Sequence, residues 1–235
     1  MANSGKNKLG NNVQELRNSI NTLFTNIRFS SPDRPIKSIV VTSSVPNEGK
    51  STVAVELARA MAQSGARVLL VETDMRRRTL GTILGVHAEH GIYSVITGQV
   101  PASEAVIAVP RVPRLYFLDA EPRIPNPVEV LSSKRFAKLY DSMMSSFDYI
   151  VFDTPPVGTF VDAAVIAAVA DATVLCARVG EVKRDDLCGA YEQLQKAGAN
   201  VIGVCATFCE SLNTSYYYYY YSEDGTRTKK KRSKK

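Results

Sequence analysis

The sequence predicts an α/β fold, a mostly parallel central sheet flanked by helices in three layers, on three observations. Short apolar runs alternate with helical stretches along most of the chain. The strand-like runs are almost continuously hydrophobic, as in strands covered on both faces. Nothing between residues 36 and 210 has the composition of a linker, and 45% apolar content over 235 residues suffices for one sizeable core. The expected organisation is an N-terminal tail and amphipathic helix over 1–35, a single α/β domain over 36–210, and a flexible tail over 211–235.

The first element is the amphipathic helix. Val13, Leu16, Ile20, Leu23, Phe24 and Ile27 recur at threes and fours, the spacing of one helical face, and Pro32 and Pro35 separate it from the first strand. That apolar stripe needs a cover, either the domain itself or a neighbouring subunit. The pattern then predicts a strand over 36–42, a helix over 49–64 and strands over 67–72 and 114–119. A helix over 128–146, a strand over 149–153, a helix over 163–170, a strand over 173–178, a helix over 184–197 and a strand over 201–207 complete it. Ligands of such sheets sit at the carboxyl ends of the strands.

The formal charge of +6 invites a nucleic-acid reading, but seven positive residues fall within the last nine, leaving a nearly neutral body. The basicity belongs to the tail, where it suits anionic membrane lipid or another polyanion, or serves only as a solubilising end, and no specific nucleic-acid partner is expected. No run approaches the roughly 20 apolar residues of a spanning helix, and the polar start lacks the apolar centre of a signal peptide, so a cytoplasmic location is expected. Cys176, Cys188, Cys205 and Cys209 lack paired spacing and read as reduced, small core residues; His87 and His90 read as surface-loop residues. Six consecutive tyrosines, Tyr216, Tyr217, Tyr218, Tyr219, Tyr220 and Tyr221, stand between a Ser/Asn segment and the basic end. In a strand, alternate members would face water, so the run is expected to be an exposed part of the tail.

The chemistry is concentrated at three strand ends. After the first strand comes SSVPNEGKST over 43–52, followed directly by a helix. Inward-pointing amides and a helix N-terminus form a phosphate cradle there, with Lys50 as a point charge near the β and γ phosphates and the Ser51 hydroxyl for Mg2+. The position six before the lysine, usually glycine, is Ser44. The candidate nucleotide-binding set is therefore Ser44, Asn47, Glu48, Gly49, Lys50, Ser51 and Thr52. The strand over 67–72 ends in Glu72-Thr73-Asp74-Met75-Arg76, and the one over 149–153 ends in Asp153-Thr154-Pro155-Pro156. In a parallel sheet both ends emerge beside the phosphate loop, where carboxylates serve Mg2+ and accept a proton from a nucleophile.

Taken together, EGKST, VLLVETDMR and YIVFDTPP resemble the bacterial tyrosine kinases, a branch of the P-loop group that includes the MinD and ParA ATPases. The likeness extends over roughly residues 13–221 and is reinforced by NPVEVLSSKRF, VIGV and the tyrosine cluster. It implies a P-loop kinase that uses ATP and Mg2+, with Gly49 to Thr52 as the Walker A loop, Glu72 and Asp74 as a second acidic motif and Asp153 as the Walker B acid. Lys50, Asp74 and Asp153 would be catalytic, with Asp74 as the base; Ser51, Glu72 and Asp153 would serve the metal; Tyr216 to Tyr221 would accept phosphate. It further implies self-association, other protein tyrosine substrates, a membrane-bound activator of the polysaccharide-export system, and through that partner a place at the inner face of the membrane, in capsule or exopolysaccharide export. Arg76 is expected either to pair with one of the acids or to be structural.

The chain departs from the family pattern in three places along its length. Glu72 stands where relatives have Asp, Asn18 and Asn21 stand where helix Glu and Arg residues help to close a subunit ring, and Cys205-Ala206-Thr207 stands where Leu-Asn lies near the base. Two other readings compete. An ATPase switch of the MinD or ParA kind would carry a second lysine early in the loop, but none lies between Lys37 and Lys50, and it has no use for a tyrosine run. A non-enzymatic nucleotide-bound regulator is kept open by Glu72.

Overall fold

The computed structural model describes residues 4–31 and 33–209. The tyrosine cluster, its six phosphoacceptor positions and the basic end lie outside the described residues. In chain order the elements are α1 (Ser4–Phe29), β1 (Ser38–Ser43), α2 (Lys50–Gln63), β2 (Val68–Glu72), α3 (Leu80–Leu84), α4 (Ile92–Thr97), α5 (Ala102–Ala105), β3 (Val106–Ala108) and β4 (Leu115–Leu118). They continue with α6 (Pro127–Leu131), α7 (Lys134–Ser146), β5 (Tyr149–Asp153), α8 (Asp162–Ala167), β6 (Ala172–Arg178), α9 (Arg184–Lys196) and β7 (Val201–Thr207).

The strands form one sheet in the order β3-β4-β2-β5-β1-β6-β7, parallel except for the antiparallel β3 edge. The period of two explains the unbroken apolar runs. In β2, Val68 and Leu70 join Leu57, Met61 and Phe117 on the α2 side, while Leu69 and Val71 join Phe136, Met143 and Phe152 on the α7 side. Both faces are thus covered, as expected for the central strands. β7 departs from this: it is an edge strand, and Gly203, Val204 and Ala206 are exposed.

The N-terminal helix finds its cover within the chain, but only over part of its length. Ile20, Phe24 and Ile27 are buried, and Phe24 meets Tyr149 edge to face at 5.6 Å. Nearer the N-terminus, Val13 and Leu16 remain 51% and 43% exposed.

Other expectations need correction. The helix over 128–146 is two helices, because the Ser133 hydroxyl accepts the Phe136 N–H at 3.1 Å and caps a new start. The strand β3 and the short helices α3 to α5 lie in a stretch to which no element was assigned. Of the cysteines only Cys176 is a buried core residue; Cys205 is half-buried, and Cys188 and Cys209 are exposed. His87 is exposed and His90 half-buried, both in the loop after α3.

The N-terminal end of β1 is tied to the loop before β6 by one carboxylate. Asp171 Oδ2 accepts from the Lys37 and Ser38 amides at 2.9 and 2.8 Å and from the Ser38 hydroxyl at 2.9 Å. Asp171→Ala is expected to lower the unfolding free energy by about 2 kcal/mol in urea denaturation, the scale for hydrogen bonds to a charged group. Asp171→Asn, which keeps an acceptor, should lose less; equal losses would show that a neutral acceptor does not tie the strands and that the carboxylate charge is required.

Candidate active site

The sheet order places β1 between β5 and β6, and β5 between β1 and β2, so the phosphate loop and both acidic strand ends converge. Asp153 is the register partner of Glu72 on one side and of Val41 on the other. The loop from Ser44 to Gly49 turns through left-handed conformations at Asn47 (φ 67°) and Gly49 (φ 83°) before α2 begins at Lys50. Glycine suits Gly49 on two counts, since an added Cβ would also come within 3.3 Å of the Phe208 ring. Gly158, in the segment after β5, lies so close to the Ser44 carbonyl that a Cβ has no room.

The loop is braced from within by Glu48, which is 2% exposed. Its Oε2 accepts from the Ser44 hydroxyl at 2.7 Å and the Val45 amide at 2.8 Å, and its Oε1 from the Arg178 amide at 3.2 Å. The Thr207 hydroxyl donates to the Glu48 carbonyl at 2.7 Å. The side chains of Ser44 and Glu48 are therefore occupied with each other, and neither borders the cleft, which Asn47, Gly49, Lys50, Ser51 and Thr52 do.

Lys50 is the centre of the site. Its Nζ lies 3.3 Å from Asp74 Oδ2, 3.5 Å from Asp153 Oδ1 and 3.2 Å from the Ser51 hydroxyl, with the side chain 11% exposed. Burial alone would lower its pKa, but the surrounding charges of Asp153, Asp74 and Glu72 outweigh burial and raise it. Asp153 is fully buried and its pKa is pushed up to about 6, by burial first and against the pull of Lys50. Neither of its carboxylate oxygens has a hydrogen-bond partner. A buried carboxylate held only by the ion pair to Lys50, beside a hydroxyl and a second carboxylate, is a hard-oxygen set that fits Mg2+.

The two acids after β2 differ in placement. Asp74 reaches the cleft: Oδ2 faces Lys50, while Oδ1 accepts the Arg77 amide at 2.9 Å and so fixes the turn. Glu72 turns away from the cleft. Its Oε2 accepts the Thr79 and Leu80 amides at 2.9 and 3.0 Å, and its Oε1 the Asp74 amide at 3.3 Å. The longer side chain lets it hold the start of α3 and the Asp74 turn together. Burial, then the charge of Asp153, pushes its pKa up to about 8.

The cleft, about 390 Å³, has walls that the sequence reading missed or left open. Arg76 lies 4.2 Å over the Phe160 ring and 3.5 Å from Asp162, so its acidic partner is Asp162 rather than Glu72, Asp74 or Asp153. Arg77 donates to the Asn47 side chain at 2.9 Å. Arg178 lies 4.3 Å over Phe208, which borders the cleft at the position beyond Thr207. Cys205 and Ala206 do not border it. Arg178 closes β6 and Phe208 follows the end of β7, and no motif spacing links them.

A carboxyl whose pKa is higher in the folded than in the unfolded chain contributes stability at low pH that is lost as pH rises. For Glu72 that window runs from about 4.5 to about 8. Glu72→Gln keeps an acceptor for the Thr79 and Leu80 amides without the charge. It is expected to raise the Tm of the nucleotide-free chain at pH 8 and to leave it nearly unchanged at pH 5. A lower Tm at pH 8 would show that the fold prefers the ionised group.

Comparison with known proteins gives the same answer as the site. Residues 36–182 match the AAA domain family. The chain is 37% identical over 182 residues to the tyrosine-protein kinase YwqD of Bacillus subtilis, covering 77% of this chain and 76% of that one. It is 35% identical over 185 residues to the tyrosine-protein kinase CpsD of Streptococcus agalactiae, covering 78% and 80%. Among solved structures, the chimerical protein CapA2B2 superposes with a TM-score of 0.76 at 32% identity, covering 80% of this chain and 82% of that one. A phosphate loop and two acidic strand ends on this sheet, matched over most of their length by tyrosine-protein kinases, mean that the chain belongs to the bacterial tyrosine kinases, a branch of the P-loop ATPases.

Proposed function

We propose that the chain transfers the γ-phosphoryl group of Mg-ATP to tyrosines, first among them Tyr216 to Tyr221 of its own C-terminal cluster. The observation that carries this reading is the cluster of Lys50 with the buried Asp74 and Asp153, with Lys50 Nζ within 3.5 Å of both acids. In the transfer, the acceptor phenol oxygen attacks the γ-phosphorus, the bond to the β-phosphate oxygen breaks and ADP leaves. Lys50 and the loop amides offset charge on the transferring group. Asp74, which borders the cleft, orients the phenol and takes its proton; with a pKa of about 10 a free phenol is a poor nucleophile at neutral pH. Mg2+ held by Ser51 and Asp153 would supply further charge neutralisation at the phosphate oxygens. Glu72, assigned to the metal on sequence, supports the site from behind by fixing the Asp74 turn.

The wider reading rests on the relatives. The 1–35, 36–210 and 211–235 organisation gives a helix, a catalytic domain and an acceptor tail, in the service of capsule or exopolysaccharide synthesis and export. A membrane-bound activator of the export system would be the partner that brings the chain to the inner face of the membrane; among the described residues no helix is long and apolar enough to cross it. Self-association through the exposed Val13 and Leu16 end of α1 fits the same picture, as does contact of the basic tail with anionic lipid.

Incubation with Mg-ATP, with and without a fragment of a candidate activator, followed by peptide mass spectrometry, tests the reading. Phosphate is expected on Tyr216 to Tyr221, absent in Lys50→Met and in the variant with all six changed to Phe, and lowered at least about 100-fold in Asp74→Asn, the scale of a lost general base. ATP hydrolysis with no phosphotyrosine under either condition would replace this reading with an ATPase switch.

A further inference from the structure

Two of the four cysteines are brought together by the fold at a place the kinase chemistry does not use. Cys176 on β6 and Cys205 on β7 are register partners on adjacent parallel strands, on the face of the sheet that packs against α1 and α2. Strands in a sheet lie about 4.7–4.9 Å apart, inside the roughly 4.4–6.8 Å Cα separation that a disulfide spans. Each thiol also acts on the other, the pair raising the pKa of Cys176 and lowering that of Cys205. Cys176 is fully buried and Cys205 is half-exposed, so an oxidant from solvent meets Cys205 first.

We propose that Cys176 and Cys205 are a reversible dithiol that a peroxide closes to a disulfide, and that closing it weakens nucleotide binding. The Cys205 thiolate attacks one peroxide oxygen, the O–O bond breaks, and Cys205 sulfenic acid and hydroxide form. The Cys176 sulfur then attacks the sulfenyl sulfur: the S–S bond forms, the S–O bond breaks, and the departing hydroxide takes the Cys176 proton. Two thiols and one hydrogen peroxide thus become one disulfide and two waters, the peroxide accepting two electrons.

The link to nucleotide binding lies two residues further along each strand. Two positions after Cys176, the Arg178 amide donates to Glu48 Oε1; two positions after Cys205, the Thr207 hydroxyl donates to the Glu48 carbonyl. Both strands therefore hold the brace of the phosphate loop just beyond the thiols. Paired strands lie at the short end of the Cα separation a disulfide favours, and the bond also fixes its Cβ atoms about 3.5–4.5 Å apart, so closure must readjust the local pairing of the two strands. β7 is the edge strand and the one free to shift, carrying Thr207 and Phe208 with it. A bond made under such strain is readily reduced, which suits a switch rather than a staple.

The test uses the full chain with Cys188→Ser and Cys209→Ser, which removes the two exposed thiols. After hydrogen peroxide, non-reducing peptide mass spectrometry is expected to show a Cys176–Cys205 linked peptide. The Kd for Mg-ADP should rise roughly fivefold, the worth of about one hydrogen bond, and return to its starting value with dithiothreitol. Adding Cys205→Ser should hold the affinity at that variant's own untreated value under peroxide. Cys205 oxidised to sulfinic acid with no linked peptide would overturn the proposal, and so would a linked peptide with unchanged Kd. Because the readout is nucleotide affinity, the result does not depend on which group accepts phosphate.

Discussion

One cation at the cleft wall, surrounded by buried carboxylates, is the constraint around which this site is organised. Lys50 Nζ lies within 3.5 Å of Asp74 and Asp153, and the charge of Glu72 also acts on it. Without that cation the buried acids would repel one another in a low-dielectric setting. The arrangement nevertheless leaves both oxygens of Asp153 without a hydrogen-bond donor. Such a site is held ready for further positive charge, and a metal-bound nucleotide supplies it while offering Lys50 phosphate oxygens in exchange.

The fold makes this arrangement obligatory. Because β5 pairs with both β1 and β2, any chain that ends these three strands in a phosphate loop, Glu72 and Asp153 must bring those groups together. The loop is then fixed by contacts from opposite directions. Glu48 ties it to the end of β6, Thr207 ties it to the end of β7, and the close approach of Gly158 to the Ser44 carbonyl sets it against the segment after β5. Glu72 serves the same purpose for the turn that carries Asp74.

Much of this was legible in the sequence because it rests on local signals. The strands over 149–153 and 201–207 coincide with β5 and β7, since unbroken apolar runs between breakers leave little choice. The phosphate loop was legible from Gly49-Lys50-Ser51-Thr52 at a strand-to-helix junction. What was not legible depends on distant parts of the chain. Glu72 at a strand end looks like a metal ligand, and only the return of residues 79 and 80 shows the amides that occupy it. Phe208 joins the cleft because β7 ends beside the phosphate loop, and Cys176 meets Cys205 because their strands pair in that register. The break at Ser133 was readable in principle, as a serine three residues before the amide it caps, but the apolar periodicity on both sides masked it.

Lys50 is the positive charge that offsets the carboxylates of the site, and Mg2+ binding without nucleotide tests that claim most directly. Calorimetric titration at pH 8 of the wild-type chain and Lys50→Met, with Tm as a check on folding, would compare the two. Mg2+ is predicted to bind at least about tenfold tighter to Lys50→Met, as expected when buried carboxylates lose their charge partner, and to raise its Tm by more. Equal or weaker binding by a folded Lys50→Met chain would contradict the claim.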